Sequence, residues 1–170
     1  MSSFFFFYFY AAKERWLMFL VGNRYSTFST EFDDFFITSI GGDTQTTTQF
    51  WGILVNFEFT TVGGCQQEVN ANDQILFAFD ASNANAFLKL TGPGPTNVPS
   101  GLPITFTVTD GQTGKPVAGA TLDAGSNVIT FGPSNSNGRV SVAFKTISVH
   151  QVKASKSGSI RSNQITVQVV

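Results

Sequence analysis

The 170-residue sequence predicts a mainly β protein of two domains, and three observations carry that prediction. Short β-prone runs recur along the chain, several with apolar residues at alternate positions, the period of a strand with one buried face. The stretch LTGPGPTNVPSGLP at 90–103 holds four prolines and three glycines, which forbid helix and interrupt a central strand. Hydrophobic residues make up 42% and charged residues only 12% of the chain, against about 25% charged in ordinary globular domains. A chain of this length and composition buries a core and does not remain disordered.

The N-terminus is the least regular part. Residues 4–10 are seven consecutive aromatics, followed by Ala11 and Ala12. An apolar run ending in small residues resembles a signal-peptide core, but the positive n-region is absent. A second run at 16–21 is separated from it by Lys13-Glu14-Arg15, and neither approaches the ~20 apolar residues of a membrane span. Three origins stay open for residues 1–30: an atypical signal peptide, a strand or helix of the fold, and a mis-set gene start, the last being favoured. The one helix expected lies at 11–20, among good helix formers and before Gly22.

Strands are then expected at 35–40, ahead of a Gly41-Gly42-Asp43 turn, at 49–59, at 74–80 after the turn cluster 70–73, and at 86–90. Residues 93–102 are expected to be a semi-extended linker. Beyond it, Ile104, Phe106 and Val108 alternate with threonines, and residues 110–114 form a turn. Further strands follow at 115–123, 127–131, 140–144, 147–155 and 164–170, with Asn137-Gly138 as a turn signal. About seven short strands in about 70 residues suit an immunoglobulin-like or transthyretin-like sandwich without a Cys-Trp-Cys core.

Residues 35–80 carry a more specific pattern. Ser39-Ile40-Gly41 ends one strand, Phe50-Trp51 opens another that ends in Val55-Asn56, and Gly63-Gly64 and Asn72-Asp73 follow. This region resembles the DUF4430 domain, similar to the C-terminal domain of transcobalamin, in the form found in secreted fungal proteins. Phe57 stands where that pattern has glycine, so the hairpin is not assured. Residues 103–170 resemble bacterial-type Ig-like or carboxypeptidase-regulatory-like domains through VTDGQTGKPV, Gly119-Ala120 and NGRVSVAF. The resemblance implies a truncated β-grasp-like α+β domain at 31–92, preceded by an atypical apolar segment at 1–30. An Ig-like β-sandwich at 103–170 then follows the linker at 93–102. It also implies that upstream cysteines are missing, which would leave Cys65 without a partner. A buried small apolar residue is the competing reading of Cys65. A domain lacking its first strands exposes a sheet edge, and residues 4–21 are expected to fold back over it.

Catalytic arrangements find little support. A thioester pattern would place Gln three residues after Cys65, where Glu68 stands. His150, the only histidine, shares the parity of Val152 and Ala154 and is expected in the sandwich core. Asp33 and Asp34 are adjacent, so on a strand they point to opposite faces. One cysteine and one histidine do not make a conventional zinc site. Residues 1–92 carry nine acidic and four basic residues, and residues 93–170 carry two and six. The basic half lacks aromatic interleaving, so no nucleic-acid partner is expected.

The expectation is a non-enzymatic, secreted or cell-surface binding or adhesion module without cofactor or metal. Its partner would be a protein, a glycan or a small ligand. Phe50, Trp51, Phe57 and Phe59 are the candidate ligand-binding residues, against core packing as the alternative. Cys65 is the candidate redox residue. Two other functions stay open: a carrier domain related to cobalamin binding, and a structural subunit that self-associates through a sheet edge or Cys65.

Overall fold

The structure, a computed structural model, describes residues 6–10, 24–64, 66–93 and 97–170, with 6–10, 24 and 25 described by backbone alone. It is mainly β and divides into two units, 1–84 and 85–170. The helix expected at 11–20 lies outside the described residues.

The first unit contains β1 (Phe6–Tyr10), β2 (Arg24–Ser29), β3 (Asp34–Ile40), β4 (Asp43–Thr44), β5 (Trp51–Val55), β6 (Glu58–Phe59) and β7 (Gln74–Phe79), then a 3-10 turn at Ala81–Asn83. Two antiparallel sheets form, one in the order β1-β7-β5-β6 and one in the order β2-β3-β4. β7 is buried from Ile75 to Phe79, so both its faces are covered, as its unbroken apolar run requires. Ile40 of β3 packs with Ile75 and Phe77 of β7, and Ile37, Trp51, Ile53 and Val69 close around them. The aromatic run at the N-terminus enters the sheet as β1, paired with β7 from Phe6 opposite Ala78 to Tyr10 opposite Gln74.

The segment 49–59, expected as one strand, is instead a tight hairpin. Asn56 and Phe57 lie at φ 52° and 70°, and Val55 pairs with Glu58 across them. A two-residue hairpin loop with both residues left-handed matches the twist of its strands. Asn tolerates that conformation, whereas a residue such as Phe pays about 1–2 kcal/mol for it. Burial offsets this: Phe57 is only 5% exposed, and burying such a side chain is worth about 1.5–3 kcal/mol. Asn56 Nδ2 donates to Asp73 Oδ1 at 2.7 Å, and Asn56 Oδ1 accepts from the Gln74 N–H at 3.0 Å. The Asn70 N–H and the Asn56 amide together hold the Asp73 carboxyl below its ordinary pKa. Burial and this amide network close the hairpin without the glycine.

The second unit is a sandwich of β8 (Leu88–Thr91), β9 (Asn97–Val98), β10 (Pro103–Asp110), β11 (Thr121–Asp123), β12 (Val128–Thr130), β13 (Arg139–Phe144), β14 (Val149–Ser155) and β15 (Ile165–Val169). One sheet runs β12-β13-β10-β8 and the other β11-β14-β15-β9, with the short β9 parallel to β15. Alternate residues from both fill one core, among them Leu88, Leu90, Phe106, Val108, Val142, Phe144, Val152, Ala154 and Val167. Gly138 has φ 73°, and a Cβ there would strike the Val108 carbonyl oxygen, so the Asn137-Gly138 turn needs its glycine.

The expected boundary at 93–102 is corrected. The division falls at 84/85, and the described residues of that stretch belong to the second unit. β8 pairs with β10, opposing Leu90 to Val108, so the chain is already inside the sandwich before the prolines. On its other side the Asn85 N–H donates to the Gly158 carbonyl at 2.8 Å and the Leu88 N–H to that of Ile160 at 3.0 Å. The Asn163 side chain completes the clamp: its Oδ1 accepts from the Leu90 N–H at 2.8 Å and its Nδ2 donates to the Leu90 carbonyl at 3.0 Å. Asn163→Ala leaves both polar groups of a buried backbone unit without this partner. The variant is expected to lose about 1–3 kcal/mol of second-unit stability, read by denaturant unfolding; an unchanged midpoint would contradict the clamp.

Candidate functional site

A groove of about 640 Å³ opens on the first unit. Phe32, Phe35 and Phe36 come to it from the β2–β3 hairpin, Phe50, Trp51 and Ile53 from β5 and its approach, and Phe59, Thr60 and Val62 from the chain after the β5–β6 turn. Phe32 is 59% exposed and Phe50 50%, and Phe35, Phe36, Phe59 and Val62 are exposed as well. So large an apolar patch on a surface usually marks a contact site.

The rings are held in place. Phe28 stands opposite Phe35 across β2 and β3, and their rings meet edge-on with centroids 5.0 Å apart. Phe32 and Phe36 meet similarly at 5.6 Å. Trp51 packs against Phe79 at 5.4 Å while its Nε1–H donates to the Asp43 carbonyl at 3.2 Å, which fixes the indole. Next to Phe50, Gln49 Nε2 donates to Asp80 Oδ2 at 2.8 Å, and the Asp80 N–H donates to the Phe50 carbonyl at 2.8 Å.

The tip of the β2–β3 hairpin is tied to the loop beyond β6. Gln66 Nε2 donates to the carbonyls of Phe32 at 3.1 Å and Asp33 at 3.2 Å. Gly63 lies directly over Asp34, so that an added Cβ would occupy the place of the carboxylate. Asp34 is buried, its Oδ1 accepting from the Phe35 N–H at 2.6 Å. Among the described residues of the lining it is the only ionisable one.

Of the residues selected from the sequence, Phe50, Trp51 and Phe59 line this groove, and Phe57 does not. Phe57 was expected to share a face with Phe59. As a turn residue it follows no strand alternation, and it turns into the core. Cys65 lies outside the described residues. His150 is buried with its Nε2 3.0 Å from the Thr146 carbonyl. A carbonyl only accepts, so Nε2 carries the proton, and the ring stacks on Phe144 at 4.4 Å. Phe32, Phe35 and Phe36 are not among the residues selected from the sequence, where only the adjacent Asp33 and Asp34 of this stretch were considered. Three phenylalanines within five residues were the available signal.

Residues 17–81 match DUF4430, a domain of unknown function. The DUF4430 domain takes in every groove-lining residue except Ser82. It starts and ends earlier than the 31–92 that the resemblance implied, and so takes in residues 17–30 of the segment expected to be atypical. Its end near residue 81 agrees with the division at 84/85. No curated protein and no solved structure matches the chain.

Two substitutions probe the DUF4430 domain. Gly63→Ala forces a methyl group against the buried Asp34 carboxylate and is expected to destabilise the domain by about 1–3 kcal/mol; unchanged thermal stability would show that the contact yields. Asp43 is a different case. Burial raises its pKa above the ordinary 3.8, and its Oδ2 is buried without a hydrogen bond. A carboxyl whose folded pKa is raised supports the fold most when protonated, and that support is lost as pH rises through the folded value. Asp43→Asn is therefore expected to raise the melting temperature at pH 7, read by thermal unfolding. The gain should vanish below the unfolded value of 3.8. A gain independent of pH would refute the desolvation argument.

Proposed function

We propose that the chain is a non-enzymatic binding module acting outside the cell, secreted or held at a surface, whose DUF4430 groove takes an apolar, ring-bearing ligand. The observation behind this reading is the convergence of Phe32 and Phe36, whose rings meet edge-on, with Phe50, Trp51 and Phe59 on one groove. A volume of about 640 Å³ lies within the 300–1,000 Å³ of ordinary small-molecule sites. Such sites join aromatic walls to a few polar groups, the part that Thr60, Thr61 and Gln66 play here. Aromatic faces supply dispersion and offset stacking of about 0.5–1.5 kcal/mol per ring pair beyond area burial. Among the described residues the lining carries a single carboxylate, which favours binding over catalysis, because acid–base chemistry needs a second group to exchange the proton. A location outside the cell is supported by the 12% of charged residues and the reliance on Ser, Thr, Asn, Gln and Gly for polar surface.

The test is a double substitution of two half-exposed rings, Phe50→Ala with Phe59→Ala, which leaves the buried core intact. Binding of a naphthalene-type fluorescent probe to the full chain is expected to weaken about tenfold or more, as hot-spot aromatics do. The melting temperature should move by only a few degrees, about the effect of surface substitutions. Probe binding equal to the parent chain would remove the groove as the site.

A further inference from the structure

The second unit carries a groove of the opposite character, about 650 Å³, formed by the outer residues of β14, the loops around 124–126 and 146–148, and Arg161 and Gln164. Asp123 of β11 stands directly opposite Lys153 of β14 in the strand register. Such cross-strand pairs of opposite charge ordinarily join. Here Asp123 Oδ2 is taken by Arg161 Nη2 at 3.1 Å. Lys153 is left half-buried between a neutralised carboxylate and a guanidinium. Desolvation first, and Arg161's charge second, press its pKa below the ordinary lysine value despite Asp123 nearby. Two cations and one carboxylate thus line the groove, an excess of one positive charge.

The remaining lining is uncharged and combines the hydrogen-bonding side chains of Ser126, Ser148, Gln151 and Gln164 with small or apolar residues such as Ala124 and Val149. The side chains of Ser126, Gln151 and Gln164 make no hydrogen bond to other described residues. His150 at the groove's edge is occupied by the Thr146 carbonyl. Among the described residues, no phenylalanine, tyrosine or tryptophan takes part in the lining. We propose that this groove binds a hydroxylated monocarboxylate, a sugar acid, with the carboxylate on the Lys153 ammonium and the hydroxyls on Ser126, Gln151 and Gln164. A single anionic charge restores the balance that Arg161 upsets by taking Asp123, and a charge-assisted contact in a half-buried setting is stronger than a neutral one. The free hydroxyl and amide groups both donate and accept, as sugar hydroxyls require. Because the groove belongs wholly to the second unit, the proposal stands or falls separately from the DUF4430 groove.

The experiment is titration of the 15N-labelled full chain with glucuronate, followed through the amide signals of Gly125, Ser126, Lys153 and Arg161. Glucose, acetate and sulfate at equal ionic strength serve as comparators. Saturable shifts with glucuronate are expected, with affinity about tenfold or more above each comparator, weakening as salt is raised. Lys153→Gln should weaken glucuronate about tenfold and Lys153→Arg should retain it, both with the parent spectrum outside the groove. Equal affinity for acetate or sulfate would reduce the groove to a general anion site and overturn the sugar-acid assignment. Equal affinity for glucose, or a Lys153→Gln chain that binds like the parent, would remove the carboxylate–Lys153 contact and with it the proposal.

Discussion

The contact between the Gly63 backbone and the Asp34 carboxylate is the constraint on which the groove of the first unit depends. The β2–β3 hairpin brings three phenylalanines and the chain after β6 brings Phe59, Thr60 and Val62. These two pieces come from distant parts of the sequence and share no strand pairing. What brings them together is a residue without a side chain lying on a buried carboxylate, seconded by the Gln66 amide on two carbonyls of the hairpin tip. Any side chain at residue 63 would push the walls apart. A groove assembled in this way has its shape fixed by the fold, and for the ligand proposed above that would lower the ordering cost of binding.

The second unit depends on a comparable device. Its first strand, β8, enters the sandwich from the end of the DUF4430 domain and pairs on one side with β10. On the other side it meets the irregular chain at 158–163, where the Asn163 amide presents a donor and an acceptor to Leu90 as a neighbouring strand would. Backbone groups of a buried strand have to be satisfied, and here one side chain satisfies two of them. That clamp is why the prolines of 93–103 do not separate domains. Pro93 and Pro99 lie beyond the first strand of the sandwich, outside any strand, and Pro103 is the first residue of β10, positions at which a missing N–H is tolerated.

The fold was legible wherever burial dictates a pattern. β3, β7 and β10 lie where alternation or an unbroken apolar run placed them, because a strand covered on one or both faces has few other sequences open to it. The β5–β6 hairpin was not legible. Asn56-Phe57 lacks the glycine that announces such a turn, and the compensating burial of Phe57 is a tertiary fact. The boundary was misplaced for a related reason: proline and glycine mark an interruption of regular structure, and an interruption within a sandwich has the same composition as one between domains. For the groove, Phe50, Trp51 and Phe59 were legible as excess aromatic surface, whereas Phe32, Phe35 and Phe36 were hidden behind the charges of Glu31, Asp33 and Asp34.

Those charges also bear on why the aromatic surface exists. Phe35 and Phe36 are adjacent on β3, so they point to opposite faces of the ribbon, and a single core cannot take both. Both remain exposed, while Asp34, the charged residue just before them, is the one that is buried. A sequence shaped only by folding would reverse this order, because burying an ionisable group is costly and covering apolar surface is favourable at about 25 cal/mol per Å². The inversion is local: further along β3, Ser39 and Ile40 are buried beside the Ile75–Phe77 core in the ordinary way. A strand that follows the folding rules at one end and breaks them at the other is shaped by something beyond its own stability at the broken end. That end is where Asp34 receives Gly63 and where the exposed rings line the groove, so the departure from folding economy and the groove coincide in the same few residues.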